Sequence, residues 1–271
     1  MSSEVKSHPF HMVDPSPWPA VGTIAAFLMA TGGIWYMHAG QPWVLILGFA
    51  VLMYTFFGWW RDVLREANSG TYHTPLVQRG LRVGMLLFIA SEVMFFFAFF
   101  WAFFNATVPA INRIAHEVWP PEGVIPFPTF GLPFLNTLIL LTSGATLTVA
   151  HHALRLGDHR KTALWILATV ILGVIFTACQ AYEYGHAAFG FTDGIYSSTF
   201  YLATGFHGFH VIVGTLFLLV CFFRARRGDF TPNQHVGFEA AAWYWHFVDV
   251  VWLFLFVSIY WWGSSAFFAQ Q

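Results

Sequence analysis

The chain has 271 residues, of which 57% are hydrophobic, 20% aromatic and only 9% charged. A water-soluble domain carries about 25% charged residues, so this composition excludes one. The formal net charge of −1 argues equally against nucleic acid as a partner. Repeated apolar runs of about 18 residues or more instead predict an all-α polytopic membrane protein. Its spans must be helical, because lipid satisfies no unpaired backbone N–H or C=O.

In chain order, residues 1–17 hold Glu4, Lys6, His8, His11, Asp14 and several prolines, and read as a short cytoplasmic tail. They lack the basic-then-apolar form of a cleaved signal peptide. Seven spans follow, at about 18–38, 43–60, 81–104, 134–153, 162–184, 195–223 and 237–262. Gly40, Gln41 and Pro42 make the first connection very short, whereas the loop after the third span is long and proline-rich. No stretch reads as a separate soluble domain, so 1–271 is expected as one membrane domain. Cys179 and Cys221 fall in apolar runs near opposite membrane faces, too far apart for a disulfide.

Charge placement orients these spans. With a cytoplasmic N-terminus, the inner segments carry Lys6, Arg61, Arg65, Arg79, Arg82, Arg155, Arg160, Lys161, Arg224, Arg226 and Arg227. Arg113 alone lies outside. The positive-inside rule therefore predicts a cytoplasmic N-terminus and a periplasmic C-terminus.

Glu92 is the exception within the third span. It follows Arg82 by ten residues, or about 15 Å of helix, which places it near the middle of a core about 30 Å thick. A carboxylate at that depth costs roughly 2.5–3.5 kcal/mol on insertion scales, so it must face protein, water or a polar ligand. No basic residue lies within one helical turn of it. It is expected to be protonated and to donate a hydrogen bond or pass protons, and the residues alone leave functional and structural roles open. Glu183, near the outer end of the fifth span, is expected to be an interfacial hydrogen-bonded carboxylate.

The thirteen histidines invite a metal reading. His151 and His152 end the fourth span. His207 and His210 share a face of the sixth, and Glu239, His246 and Asp249 share a face of the seventh. No His-Glu-x-x-His or His/Cys cluster is present, and the single Glu-x-x-His string, Glu183 to His186, stands alone at the end of the fifth span. Glycines 205, 208 and 214 favour close helix approach, so His207, His210, Glu239, His246 and Asp249 are expected to form one structural polar network between the last two spans. Along the inner rim, Arg61, Arg65, Arg82 and Arg224, with Trp60, Glu66 and His73 nearby, suit anionic lipid head groups or plain topological anchoring.

Several strings resemble one family, subunit III of haem-copper cytochrome c oxidase. They include Val77-Gln78-Arg79-Gly80-Leu81-Arg82, Ser91-Glu92-Val93-Met94-Phe95-Phe96, Trp119-Pro120-Pro121-Glu122-Gly123 and Ala150-His151-His152. Others are Gln180-Ala181-Tyr182-Glu183-Tyr184, Thr204-Gly205-Phe206-His207-Gly208-Phe209-His210, and the long run from Gly237 to Trp252. Together they extend from about residue 59 to the C-terminus.

The resemblance implies seven helices, the first two set apart from the last five by a lipid-filled cleft. It implies a non-catalytic accessory subunit of a proton-pumping aa3-type oxidase in a bacterial inner membrane. Haem a and copper then reside in partner subunits, with no metal in this one. The implied partners are catalytic subunit I directly, subunit II in the same complex, and cytochrome c as substrate of the complex. By position, Trp60, Arg65, Glu66, His73, Arg82, Glu92 and Arg224 resemble phospholipid-contacting residues, and Glu92 also matches the carboxyl that hydrophobic carbodiimides modify in this family. Rival readings are the equivalent subunit of a quinol oxidase, an independent membrane metal enzyme using His207, His210 and His246, and a proton channel using Glu92.

Overall fold

The structure is a computed structural model that describes residues 9–12, 14–108, 119–121 and 123–264. The charged residues expected at positions 4, 6, 113 and 122 lie outside them. Seven helices are present: α1 Trp18–Ala39, α2 Trp43–Asn68, α3 Pro75–Thr107, α4 Leu132–Arg155, α5 His159–Gly185, α6 Ile195–Arg227 and α7 Val236–Leu255. A π-helical segment, Phe256–Trp262, continues α7. Each of the seven is long and apolar enough to cross a membrane.

Local chemistry sets the helix ends. Prolines occupy the first turns of α1 and α4 and begin α3, where a missing N–H costs nothing. Gly40 closes α1 in the left-handed conformation (φ 67°), and its N–H donates to the Tyr36 carbonyl. Gly228 ends α6 in the same way at φ 77°. Asp158 caps α5, accepting the Lys161 backbone N–H at 3.0 Å. That bond, with the Lys161 ammonium, holds the exposed Asp158 carboxyl below the usual carboxylate range.

Several helices overrun the apolar stretches that announce them. The second expected span ends near residue 60, yet α2 continues to Asn68; α3 begins at Pro75 rather than 81, and α6 reaches Arg227 rather than 223. Hydropathy marks only the lipid-soluble part. Once nucleated, a helix gains a hydrogen bond for each residue added and propagates through good formers such as Arg61, Leu64, Arg65, Glu66 and Ala67.

Packing divides the chain into two compact units, up to Leu81 and from Arg82. In the first, α1 and α2 pack as an antiparallel hairpin. Their backbones approach so closely that a side chain on Gly32 would strike the backbone of Val44 and Leu45, and one on Gly48 would come within 2.7 Å of the Met29 nitrogen. Trp18 is almost fully buried against Gly58, and its indole N–H donates to Asp62 Oδ2 at 2.7 Å.

In the second unit, α4, α5, α6 and α7 form a closed ring of neighbours, with α7 returning to α4. The interior is aromatic: Trp245, Trp252, Phe176, Phe200 and Phe238 are fully buried. Polar stitches join the helices. Trp245 and Trp252 on α7 donate to Ser143 Oγ (2.9 Å) and Thr137 Oγ1 (3.0 Å) on α4. Thr146 and Thr169 join α4 to α5 at 2.8 Å, and Tyr184 and Thr204 join α5 to α6 at 2.7 Å. Between lipid-solvated helices such bonds and close packing replace the hydrophobic drive. From Arg82 onward α3 belongs to this unit, burying Phe96 and Phe103 in its core. Both cysteines are free.

Candidate functional site

Glu92 is not solitary. His210, one face of α6, brings Nε2 to 2.9 Å from Glu92 Oε2, while its Nδ1 lies 2.6 Å from the Phe206 carbonyl. A carbonyl only accepts, so Nδ1 carries a proton. The remaining contact then holds a single proton, on His210 nitrogen or on Glu92 oxygen, and either placement satisfies both groups. Phe95, Phe96 and Tyr244 surround the imidazole, with ring centroids 5.0–6.2 Å away. The expected free carboxyl, available to donate elsewhere, is therefore replaced by a His–Glu pair. No sequence signal points to it, because 118 positions separate the partners.

The five residues expected as one network fall into separate contacts. His207, fully buried, reaches the Val248 carbonyl through Nε2 at 3.1 Å and packs between Phe176 and Trp252. His210 turns to Glu92 as described. His246 Nδ1 lies 3.4 Å from Asp249 Oδ2, and Asp249 presses against Gly144 of α4. Glu239 accepts from Arg82 Nε at 2.6 Å and faces His235 Nε2 at 3.3 Å. The heptad spacing of Glu239 and His246 places them two turns, about 10 Å, apart along α7, too far for direct contact. The three histidines named for a metal enzyme thus point to three different partners.

The residues resembling lipid contacts divide between the two units. In the first, Trp60 is half exposed and shares with Phe56, Trp59 and Val63 an apolar hollow of about 220 Å³. Arg65 is solvent-accessible and lies 3.5 Å from Asp62 Oδ1, with Arg61 at 3.4 Å from the same oxygen. Glu66 is 3.7 Å from His11, whose ring also packs near Tyr72 and His73. Asp62, bound by Trp18 and flanked by both arginines, is the hub of this end, and sequence reading passed over it. In the second unit Arg82 is turned onto Glu239, and the Arg224 guanidinium lies 4.4 Å over the Phe230 ring, with Nε 3.7 Å from Asp229.

Glu183 is more deeply placed than an interfacial carboxylate. It is 2% exposed and accepts the Tyr260 hydroxyl at 2.8 Å, so the π-helical segment is tied to α5. Among the described residues, one group of three histidine or carboxylate side chains brings its ligand atoms within 4.8 Å of one another: His151, His235 and Glu239. It escaped sequence reading because His151 comes from α4, and only the i,i+4 spacing of His235 and Glu239 hints at it.

Comparison with known proteins matches nearly the whole chain to one family. The family model described as cytochrome c oxidase subunit III matches residues 8–264. Proteins named cytochrome c oxidase subunit 3 from Prototheca wickerhamii and Marchantia polymorpha are 57% and 56% identical over 263 and 262 residues. Each alignment covers 96% of this chain, with 100% and 98% of the relative. The Xenopus laevis protein of that name is 53% identical over 259 residues, covering 96% of this chain and 99% of its own. The chain belongs to the cytochrome c oxidase subunit III family.

Proposed function

We propose that this chain, an accessory subunit of the cytochrome c oxidase complex, is non-catalytic and acts by holding phospholipid and steadying the catalytic subunit. One observation carries the reading: four ionisable side chains within the spans are each engaged by a partner inside the chain itself. Glu92 is taken by His210, His207 by the Val248 carbonyl, Glu239 by Arg82 and Glu183 by Tyr260. What remains outward is apolar and aromatic, including Trp43, Phe57, Trp60, Trp101, Phe130 and Trp261. Such a surface suits lipid chains and neighbouring helices.

On this reading haem a and copper belong to partner subunits. Subunit I is the direct neighbour, subunit II lies in the same complex, and cytochrome c supplies the electrons. Trp60, Arg65, Glu66, His73, Arg82, Glu92 and Arg224 are the residues proposed to contact lipid, with the apolar hollow at Trp60 suited to an acyl chain and the solvent-accessible Arg65 a cation for a phosphate. The subunit also supports proton uptake. The membrane is a bacterial inner membrane, with the N-terminus cytoplasmic; the eleven basic residues of the inner segments support this orientation.

The test is to purify the complex carrying Arg65→Ala, Trp60→Ala or Arg224→Ala, weigh its bound phospholipid by mass spectrometry and follow activity during turnover. Fewer lipids per complex and a shorter active lifetime, at an unchanged initial rate, are expected. Unchanged lipid content and lifetime in all three variants would remove the lipid role.

A further inference from the structure

We propose that His151, His235 and Glu239 form a binding site for a zinc-like divalent cation, joining the end of α4 to the start of α7. His235 Nδ1 lies 2.9 Å from the Thr231 carbonyl, which only accepts, so Nδ1 carries hydrogen and Nε2 of the neutral ring presents a lone pair. That lone pair faces Glu239 Oε1 at 3.3 Å, again an acceptor when ionised. The third member, His151 Nε2, is shielded from solvent and has no hydrogen-bond partner. With His151 in its Nδ1–H tautomer, three acceptor atoms converge within 4.8 Å with no donor among them.

A metal ion answers that arrangement. Two imidazoles and one carboxylate are a common protein ligand set for Zn²⁺, with a fourth position left to water. Bonds of about 2.0–2.1 Å in tetrahedral geometry set neighbouring ligand atoms about 3.3 Å apart, and the His235–Glu239 pair already stands at that separation. His151 stands within 4.8 Å of both and has to draw closer to each to close the other two edges. The surroundings are those of a supported site. The Thr231 carbonyl fixes the His235 tautomer, and Arg82 Nε holds Glu239 by its other oxygen, Oε2, leaving Oε1 free. The His151 and His235 rings lie 5.6 Å apart, and Phe238 packs against His151.

The competing arrangement is a doubly protonated His235 paired with Glu239 and no ion at all. Equilibrium dialysis of the whole oxidase complex, first stripped with chelator and then exposed to Zn²⁺ near pH 7, separates the two. The unsubstituted complex should retain one zinc per complex more than complexes carrying His151→Gln or Glu239→Gln, with affinity at this site reduced more than about 100-fold, beyond the 10–100-fold typical of an outer-shell change. Equal zinc content in all three would overturn the proposal and leave an imidazolium–carboxylate pair. Should the variants assemble poorly, the zinc K-edge difference spectrum of the unsubstituted complex decides. Two imidazoles and an oxygen in the new zinc's shell support the site, and a shell lacking imidazole overturns it.

Discussion

The two units solve the same problem, holding helices together in lipid, by different means. Up to Leu81, α1 and α2 bury few residues: Trp18, Ala25 and Gly32 on one, Gly48 and Thr55 on the other. Their cohesion comes from backbone proximity at glycine and from one indole–carboxylate bond. From Arg82 on, α4 to α7 interleave large aromatic rings and cross-link them with hydroxyl, amide and indole groups. The hairpin has little interior, so nearly all its apolar surface faces outward. The bundle has an interior rich enough to absorb a glutamate, two histidines and an aspartate. Lipid gives helices no hydrophobic reason to associate, so contact quality decides cohesion.

That contrast can be broken at its tightest point. Gly32→Leu drives a side chain into the Val44–Leu45 backbone, which has no rotamer to yield, and should destabilise the hairpin by about 3 kcal/mol or more. Limited proteolysis of the assembled complex should show new cleavage confined to the region before residue 81. Gly80→Leu, where nothing lies within 4 Å of the added side chain, should be nearly silent.

Next in size come the indole bonds. Trp245→Phe keeps most of the ring but removes the bond to Ser143, and Trp18→Phe removes the bond to Asp62. Polar bonds between membrane helices average about 0.6 kcal/mol and reach about 1.7. Each variant should lower thermal stability of its own unit by an amount in that range, Trp18→Phe toward the upper end because its acceptor is charged. Equal losses in both units from either variant would show that the division at Leu81 has no energetic meaning.

The smallest effect belongs to Asp158. Its carboxyl titrates below the ordinary value because Lys161 stabilises the ionised form, so its contribution is present above that ordinary value and lost as pH falls through the lowered one. Amide exchange at the first turn of α5 should quicken only in acid, and Asp158→Asn, which still caps, should flatten that dependence.

Much of the architecture was legible before any coordinates. Seven apolar runs marked seven helices, and proline and glycine marked many of their ends. That the first two helices stand apart from the rest was expected from the resemblance, but the place of the division was not legible, because it falls after Leu81 inside the single unbroken helix α3. The candidate sites were legible as residue types but not as partnerships. Glu92 was conspicuous for its depth, yet its partner sits on α6. Arg82 was read as a rim cation, yet Glu239 claims it. His207 and His210 lie three apart on one helix and still face different neighbours, because a spacing of three turns side chains by about 300°, leaving roughly 60° between them. The π-helical stretch of Phe256–Trp262 carries no periodic signature; it became visible only through the Tyr260–Glu183 bond it positions.

The central claim is that Glu92 serves the interior of this chain rather than the chemistry of the complex. Oxygen consumption and the haem absorption spectrum of the complex carrying Glu92→Gln test it most directly. Glutamine keeps a group at hydrogen-bond distance from His210, so the spectrum should be unchanged and the initial rate should stay within about twofold, or less than about 0.5 kcal/mol in barrier height. Loss of the haem spectrum, or a rate reduced by orders of magnitude at full assembly, would contradict it.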